Sequence, residues 1–207
     1  MDDRSFRLGD HGRYSTERTS HTMDDRQLID THIRSFFAEH AVTEHQWNLG
    51  PTSDAMPEFR VLEIGPGERT ACTSYISLGS HTIRHPETGI LEFALLTRAP
   101  DARCIELVTM AMWFHRSTPL GIGHTLNIGE PWLAGSPCDH LLVSTPYPFG
   151  PDFEICNLHD SHVHCTWLLP ITKQERDFKS QHGLEELEVR FDDAAIDFAD
   201  PQRPSVV

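Results

Sequence analysis

The chain has 207 residues, 38% of them hydrophobic, which is enough for one packed domain. Its 31 acidic and 17 basic residues give a formal net charge of −14, so nucleic-acid phosphates and anionic membrane surfaces would repel it. These two classes of direct partner are therefore excluded, whereas a basic protein partner is favoured.

The sequence carries neither a membrane segment nor a cysteine framework. No apolar run reaches the about 20 residues that cross a bilayer, and the opening stretch lacks the apolar core of a secretory signal. We therefore expect a cytoplasmic protein. Its five cysteines are widely spread and never paired as C-x-x-C, which argues against a disulfide framework and a zinc ribbon. Buried free thiols are the simpler interpretation.

The chain divides into a polar tail and one domain. Residues 1–22 have few apolar side chains and no periodicity, so burial would not offset the entropy lost on ordering them. We predict a disordered tail there and a single domain over residues 23–207.

The first predicted helix covers residues 23–40, where apolar side chains recur at helical spacing. Thr22 is placed to cap it. Asp24 and Asp25 fall in its first turn, where the helix dipole favours acidic groups.

The middle of the chain is predicted to form strands on either side of one helix. Branched and aromatic residues between glycine and proline turn signals predict a meander of three strands, at residues 59–64, 70–78 and 90–97. Residues 101–117 return to helical spacing, with Asp101 as the N-cap. Three further extended segments are predicted at residues 121–132, 140–146 and 152–158. Strand runs interrupted by single helices indicate an α+β fold, with a mostly antiparallel sheet flanked by helices.

A histidine-rich segment at residues 159–165 has two interpretations. His162 and His164 are two apart in a predicted strand, so both face one side as a usable pair of zinc ligands, and His159 can join them from the preceding turn. Cys165 would point to the opposite side. This set supports a metal-dependent hydrolase as the alternative function. The favoured interpretation is a strand that displays histidines to solvent, because no carboxylate lies at a motif distance.

The same strand leads into a capped helix. Pro170 disfavours the helical conformation for Leu169, so we expect the strand to end there. Thr172 and Glu175 form a T-x-x-E capping box, which predicts a helix that begins at Lys173.

The last predicted helix covers residues 184–196 and follows Gly183, which is placed to end the preceding helix. Leu184, Leu187 and Phe191 share one face of it. Its acidic residues, which we take as the candidate partner-binding surface, are Glu185, Glu186, Glu188, Asp192 and Asp193.

Motifs for other chemistry are missing. The glycine-containing segments at residues 65–70 and 121–129 lack the signatures of a phosphate loop and of a dinucleotide fold, and there is no G-x-S-x-G. No catalytic residue, metal site or cofactor is expected. For His124 we expect a buried structural hydrogen bond, because no nucleophile motif adjoins it.

A series of short motifs resembles a suppressor of fused domain. The resemblance covers roughly residues 36–207, and its main motifs are G-x-G-H-T with a following G-E-P (121–131), GSPCDHLLVSTP (135–146), WLLPITKQE (167–175), LEELEVRF (184–191) and DPQRPSV (200–206). YISLGS (75–80) and EFALLT (92–97) extend it upstream.

This resemblance implies an α/β sandwich that binds other proteins and has no established catalytic activity. The chain is too short for the second domain of eukaryotic members, and single-domain bacterial relatives are thought to include immunity proteins that neutralise a toxin, often a nuclease. A net charge of −14 suits a protein that masks a basic cleft. We therefore expect an immunity or inhibitor protein with a basic protein partner.

Overall fold

A computed structural model describes residues 23–207, so the tail predicted for residues 1–22 lies outside the described part. Six α-helices occur in residues 23–207: α1 (Asp25–Phe36), α2 (Pro51–Ala55), α3 (Ala102–Ser117), α4 (Pro151–Glu154), α5 (Lys173–His182) and α6 (Leu184–Ala194). The strands are β1 (Val42–His45), β2 (Arg60–Ile64), β3 (Thr73–Leu78), β4 (Arg84–His85), β5 (Gly89–Thr97), β6 (Thr125–Asn127), β7 (Cys138–Ser144), β8 (Ile155–Asn157) and β9 (His162–Thr172).

The strands form one mixed sheet in the order β1-β2-β3-β5-β9-β7-β6, with β4 paired to β5 and β8 to β9. Among the described residues, every strand pair is antiparallel except β5 with β9. The predicted α+β fold with a mostly antiparallel sheet is therefore confirmed. The predicted meander is also confirmed, as β2, β3 and β5.

Hydrophobic side chains cover both faces of this sheet. Along β3, Ile76 and Leu78 belong to the core that includes residues of α1, α4 and α6, whereas Tyr75 belongs to the core with α3. Because successive side chains of a strand point to opposite faces of the sheet, the strands contribute to two hydrophobic cores, one on each face. Within residues 23–207, no helix is both long enough and apolar enough to span a membrane. All five cysteines are free thiols, four of them buried, in agreement with the sequence interpretation.

The N-cap of α1 differs from the prediction. Asp24 caps the helix, because its Oδ1 accepts from the Gln27 amide at 2.8 Å while the Gln27 side chain accepts from the Asp24 amide at 3.1 Å. This capping box places the start at Asp25, so the prediction of Thr22 as the cap was wrong. The Asp101 cap of α3 is confirmed, since its side chain accepts from the Arg103 amide at 2.9 Å.

β9 runs through Pro170 to Thr172, so the expected strand end at Leu169 was wrong. The Pro170 carbonyl accepts from Arg203 Nη2 at 2.8 Å, and the Thr172 amide donates to the Glu175 side chain at 2.8 Å. In a strand, the amide and carbonyl of one residue point to the same side. The missing N–H of Pro170 therefore faces Arg203 rather than β7, so the ladder to β7 loses no donor.

A second correction concerns residues 152–158, which were predicted to be extended throughout. Their first part belongs to α4, and only β8 is extended. Gly150 precedes α4 with φ of +69°, and Pro151 occupies the first helical position, where its fixed φ suits a helix start. The chain therefore makes one helical turn before pairing with β9.

Candidate functional site: an acidic helix beside an apolar groove

Helix α6 is fixed to the sheet by its buried side. Gly183, with φ of +97°, separates it from α5 in a conformation that glycine adopts readily. Leu187 and Phe191 are buried in the core beneath α6. The rest of the helix surface carries the residues predicted from the sequence, which we call the α6 carboxylates: Glu185, Glu186, Glu188, Asp192 and Asp193. Four of them are exposed, and Glu188 is half-buried.

Most of the α6 carboxylates lack an internal counter-charge. Glu186 has Arg190 at 3.6 Å, one turn away. Within residues 23–207, the other four have no basic side chain within 4.0 Å. By contrast, the nearby carboxylates of Asp197 and Asp200 both form ion pairs with Arg98. Four of the five α6 carboxylates are therefore without a paired base among the described residues, which leaves α6 with a net negative surface.

An apolar groove adjoins this patch, with a cavity volume of about 220 Å³ between α6, β7 and β9. We call it the α6 groove. Its floor consists of Leu142, Leu169, Phe191 and Phe198. Its polar lining consists of the buried Ser144 and, at the rim nearer the surface, Tyr147, Glu188 and Asp192. Two of the five predicted residues, Glu188 and Asp192, thus line a concave site, while the other three lie on the surrounding surface.

Tyr147 is one of the groove residues that the sequence interpretation missed. It lies between β7 and α4, its side chain is 58% exposed, and its hydroxyl donates to Glu188 Oε1 at 2.7 Å. Partial burial, and then the bond to Glu188, raise the pKa of Tyr147 above its usual value. The hydroxyl therefore stays protonated at neutral pH and orients the Glu188 carboxylate. Because the two residues are 41 positions apart, no local pattern links them.

The histidine segment does not form the metal site of the alternative hypothesis. His162 and His164 share one face, as predicted, with ring centroids 4.8 Å apart. His159, however, donates from Nε2 to the Met23 carbonyl at 2.9 Å. Glu154 lies 3.8 Å from His164 Nδ1. In the part of the chain that the structure describes, no three His, Cys, Asp or Glu side chains are arranged to hold a metal ion.

The expectation for His124 was half right. Its Nδ1 lies 3.0 Å from the Pro119 carbonyl oxygen and 3.3 Å from the Gly121 amide, so it makes structural contacts in its turn. The side chain is exposed rather than buried. Gly123, with φ of +84°, turns the chain so that the ring folds back along the preceding segment and leaves its other edge in solvent.

Solved structures share this fold over most of the chain. A SUFU (suppressor of fused protein) homologue from Neisseria gonorrhoeae FA 1090 is 33% identical, with a TM-score of 0.77, over 88% of this chain and 96% of that one. The Sufu–Fu complex matches with a TM-score of 0.63 at 13% identity, over 86% of this chain and 90% of that one. Drosophila Suppressor of Fused matches with a TM-score of 0.57 at 10% identity, over 86% of this chain and 50% of that one. At such low identity, the last two show the fold alone.

The sequence itself matches a family profile described as Suppressor of fused protein (SUFU), over residues 56–204. No curated protein matches the chain. The profile covers β2 to β9 together with α5 and α6, and so includes the α6 groove. The profile match and the 33% identical homologue together show that the chain belongs to the suppressor of fused protein family.

Proposed function

We propose that this protein is a non-catalytic inhibitor or immunity protein, which masks a basic protein such as a toxin with the α6 groove and the α6 carboxylates. The observation that carries the proposal is the coincidence of unneutralised carboxylates with an apolar groove on the same helix. A structure of the Sufu–Fu complex, in which a protein of this fold meets another protein, supports a binding role. All five cysteines are free thiols, which suits an encounter in the reducing cytoplasm.

Charge and apolar surface would do different work in such a complex. Carboxylates on the rim steer a basic partner and raise the association rate. This effect is largest at low salt, where the charges are screened least. The apolar floor excludes water and provides the short-range contacts that slow dissociation. The formal charge of −14 adds a long-range attraction that favours basic surfaces and disfavours acidic ones.

The proposal makes a genetic prediction about the adjacent gene. We expect it to encode a basic protein whose expression alone slows growth, and we expect co-expression of the present chain to restore growth. The two purified proteins should then elute together on size-exclusion chromatography. A neighbouring product that is harmless, or whose harm persists on co-expression, would contradict the immunity role.

Two charge variants separate a local surface from general acidity. The α6 variant carries Glu185→Gln, Glu186→Gln, Asp192→Asn and Asp193→Asn. The control variant carries Glu39→Gln, Glu58→Gln, Glu68→Gln and Glu87→Gln, which replace exposed carboxylates in loops away from α6. Both variants lose four negative charges, so their net charges stay equal. Growth restoration should weaken with the α6 variant and persist with the control variant, whereas equal effects would mean that the partner responds to net charge alone.

A further inference from the structure

We infer that the α6 groove receives the side chain of one arginine from the partner protein. The inference rests on the proposed function and specifies its central contact: the alkyl stem lies on the apolar floor, and the guanidinium lies between the carboxylates of Glu188 and Asp192. At this contact the arginine of the partner would lose its hydration water and form an ion pair with the two carboxylates.

The size of the groove argues for one side chain rather than a free metabolite. Its cavity volume is about 220 Å³. Sites that enclose small molecules typically have about 300–1,000 Å³. A volume below that range, open to the surface beside a charged helix, fits a single long side chain delivered by a macromolecule.

The floor suits the stem of an arginine. Leu142 and Leu169 are buried strand residues, so this part of the wall is fixed by the sheet. Phe191 and Phe198 add aromatic surface, with ring centroids 5.9 Å apart. Three methylene groups and a weakly hydrated planar cation bury at low cost on such a surface, whereas a compact ammonium is strongly hydrated.

The rim suits the guanidinium. Glu188 and Asp192 are four residues apart on α6, a spacing that brings their Cβ atoms within about 6 Å. Neither carboxylate has a basic side chain within 4.0 Å among the described residues. A guanidinium has five N–H donors in one plane and can bond to two carboxylates at once, which a single ammonium does less well.

The interior of the same protein already contains an arginine that contacts both a carboxylate and an aromatic ring. Arg203 donates from both Nη atoms to Glu175, at 2.7 and 2.8 Å, and its Cζ lies 5.5 Å from the centroid of the Phe191 ring. An arginine held by a carboxylate beside Phe191 is thus compatible with the local packing. The α6 groove presents the outer counterpart, with carboxylates and aromatic rings but without the cation.

The test uses short peptides as probes and the full 207-residue chain labelled with ¹⁵N. The peptide acetyl-Gly-Ala-Arg-Ala-Gly-amide is titrated and followed by NMR, and Arg is replaced in turn by lysine, citrulline and norleucine. We expect the arginine peptide to shift amides of β7, α6 and the Tyr147 loop in a saturable way. The lysine and citrulline peptides should bind at least about tenfold more weakly, as expected for the loss of a bidentate charged contact.

Two matched variants check the contact. Glu188→Gln keeps an oxygen acceptor for Tyr147 and removes only the charge, so the arginine peptide should bind about five- to tenfold more weakly. Glu58→Gln, at an exposed carboxylate elsewhere, should change nothing. Equal affinity for the arginine and norleucine peptides, lysine binding as tight as arginine, shifts outside the groove, or an unchanged affinity in Glu188→Gln would each overturn the inference.

This experiment fails separately from the proposed function. If the partner protein is neutralised through the α6 surface but the arginine peptide does not enter the groove, the inference is wrong and the masking role stands. If the peptide enters the groove but the adjacent gene product is neither bound nor neutralised, the proposed function is wrong and the arginine site remains.

Discussion

His115, in the last turn of α3, should make the stability of the fold depend on pH. The side chain is fully buried, and its Nδ1 accepts from the Leu120 amide at 2.9 Å. The proton of the neutral ring is therefore on Nε2, which has no hydrogen-bond partner within the described residues. Burial, and then the neighbouring His85, lower the pKa of His115 from 6.5 to about 4.

The sign and size of the effect follow from this pKa. The unfolded chain takes up a proton near pH 6.5, whereas the folded protein resists protonation of His115 until about pH 4. The unfolded state thus binds more protons in this window, so stability is fully present above pH 6.5 and falls as the pH decreases toward 4. A difference of about 2.5 in pKa, at about 1.4 kcal/mol for each pH unit, corresponds to about 3 kcal/mol.

Urea unfolding at about pH 7.5, 6.5, 5.5 and 4.5 measures this loss, with His115→Asn as the comparison. Asparagine offers Oδ1 to the Leu120 amide but does not titrate. Because the carboxylates titrate in both proteins, the difference between the two free energies of unfolding isolates the histidine. We expect the difference to change by about 2.5 kcal/mol between pH 7.5 and 4.5, because the full effect of about 3 kcal/mol is reached only below pH 4. We expect His162→Asn, at an exposed position, to behave like the parent. Parallel curves for parent and His115→Asn would refute the reasoning.

Three further stability predictions can be checked by the same unfolding assay. Thr172→Ala should cost about 1 kcal/mol, because it removes the capping bond to the Glu175 amide, whereas the exposed His162→Ala should cost little; the reverse order would point back to a role for the histidines. Glu175→Gln should cost about 3–5 kcal/mol, because it leaves the buried Arg203 without its counter-charge; a loss below about 1 kcal/mol would mean that the pair is solvated. Deleting residues 1–22 should leave the melting temperature within a few degrees of the parent, and a larger fall would show that this segment packs on the domain.

Local patterns predicted the elements that depend on local physics. The capping box of Thr172 and Glu175 and the cap of α3 were visible as short-range spacing, and both are present. The bond between Glu175 and Arg203 was not predictable, because it joins residues 28 positions apart. The continuation of β9 past Pro170 was not predictable either, because it involves pairing with β7 and the bond from Arg203 to the Pro170 carbonyl, both of which join distant residues. β1 was missed because none of its four residues is buried and its two central residues are both exposed, so it lacks the period-two pattern of a strand.

The candidate site was predictable to a similar degree. Helical periodicity placed the α6 carboxylates largely away from the face of Leu187 and Phe191, and in the structure four of them are exposed while Glu188 is half-buried. The groove beside them was not predictable, because it forms where α6 packs against β7 and β9, and because Tyr147 reaches Glu188 from a distant loop. Sequence periodicity gives the face of a helix, whereas a concave surface needs the tertiary arrangement of several elements.

The most direct test of the masking role is the association rate with the cognate partner, measured by stopped flow for the parent, the α6 variant and the control variant. Between about 0.01 and 0.15 M salt the Debye length falls from about 30 to about 8 Å, so steering by the α6 carboxylates should weaken sharply. We predict that the parent and the control variant associate rapidly at low salt and slow markedly at physiological salt, and that the α6 variant is slow at low salt and depends less on salt. Equal rates for all three proteins at both salt concentrations would contradict the proposal and place the partner on another surface.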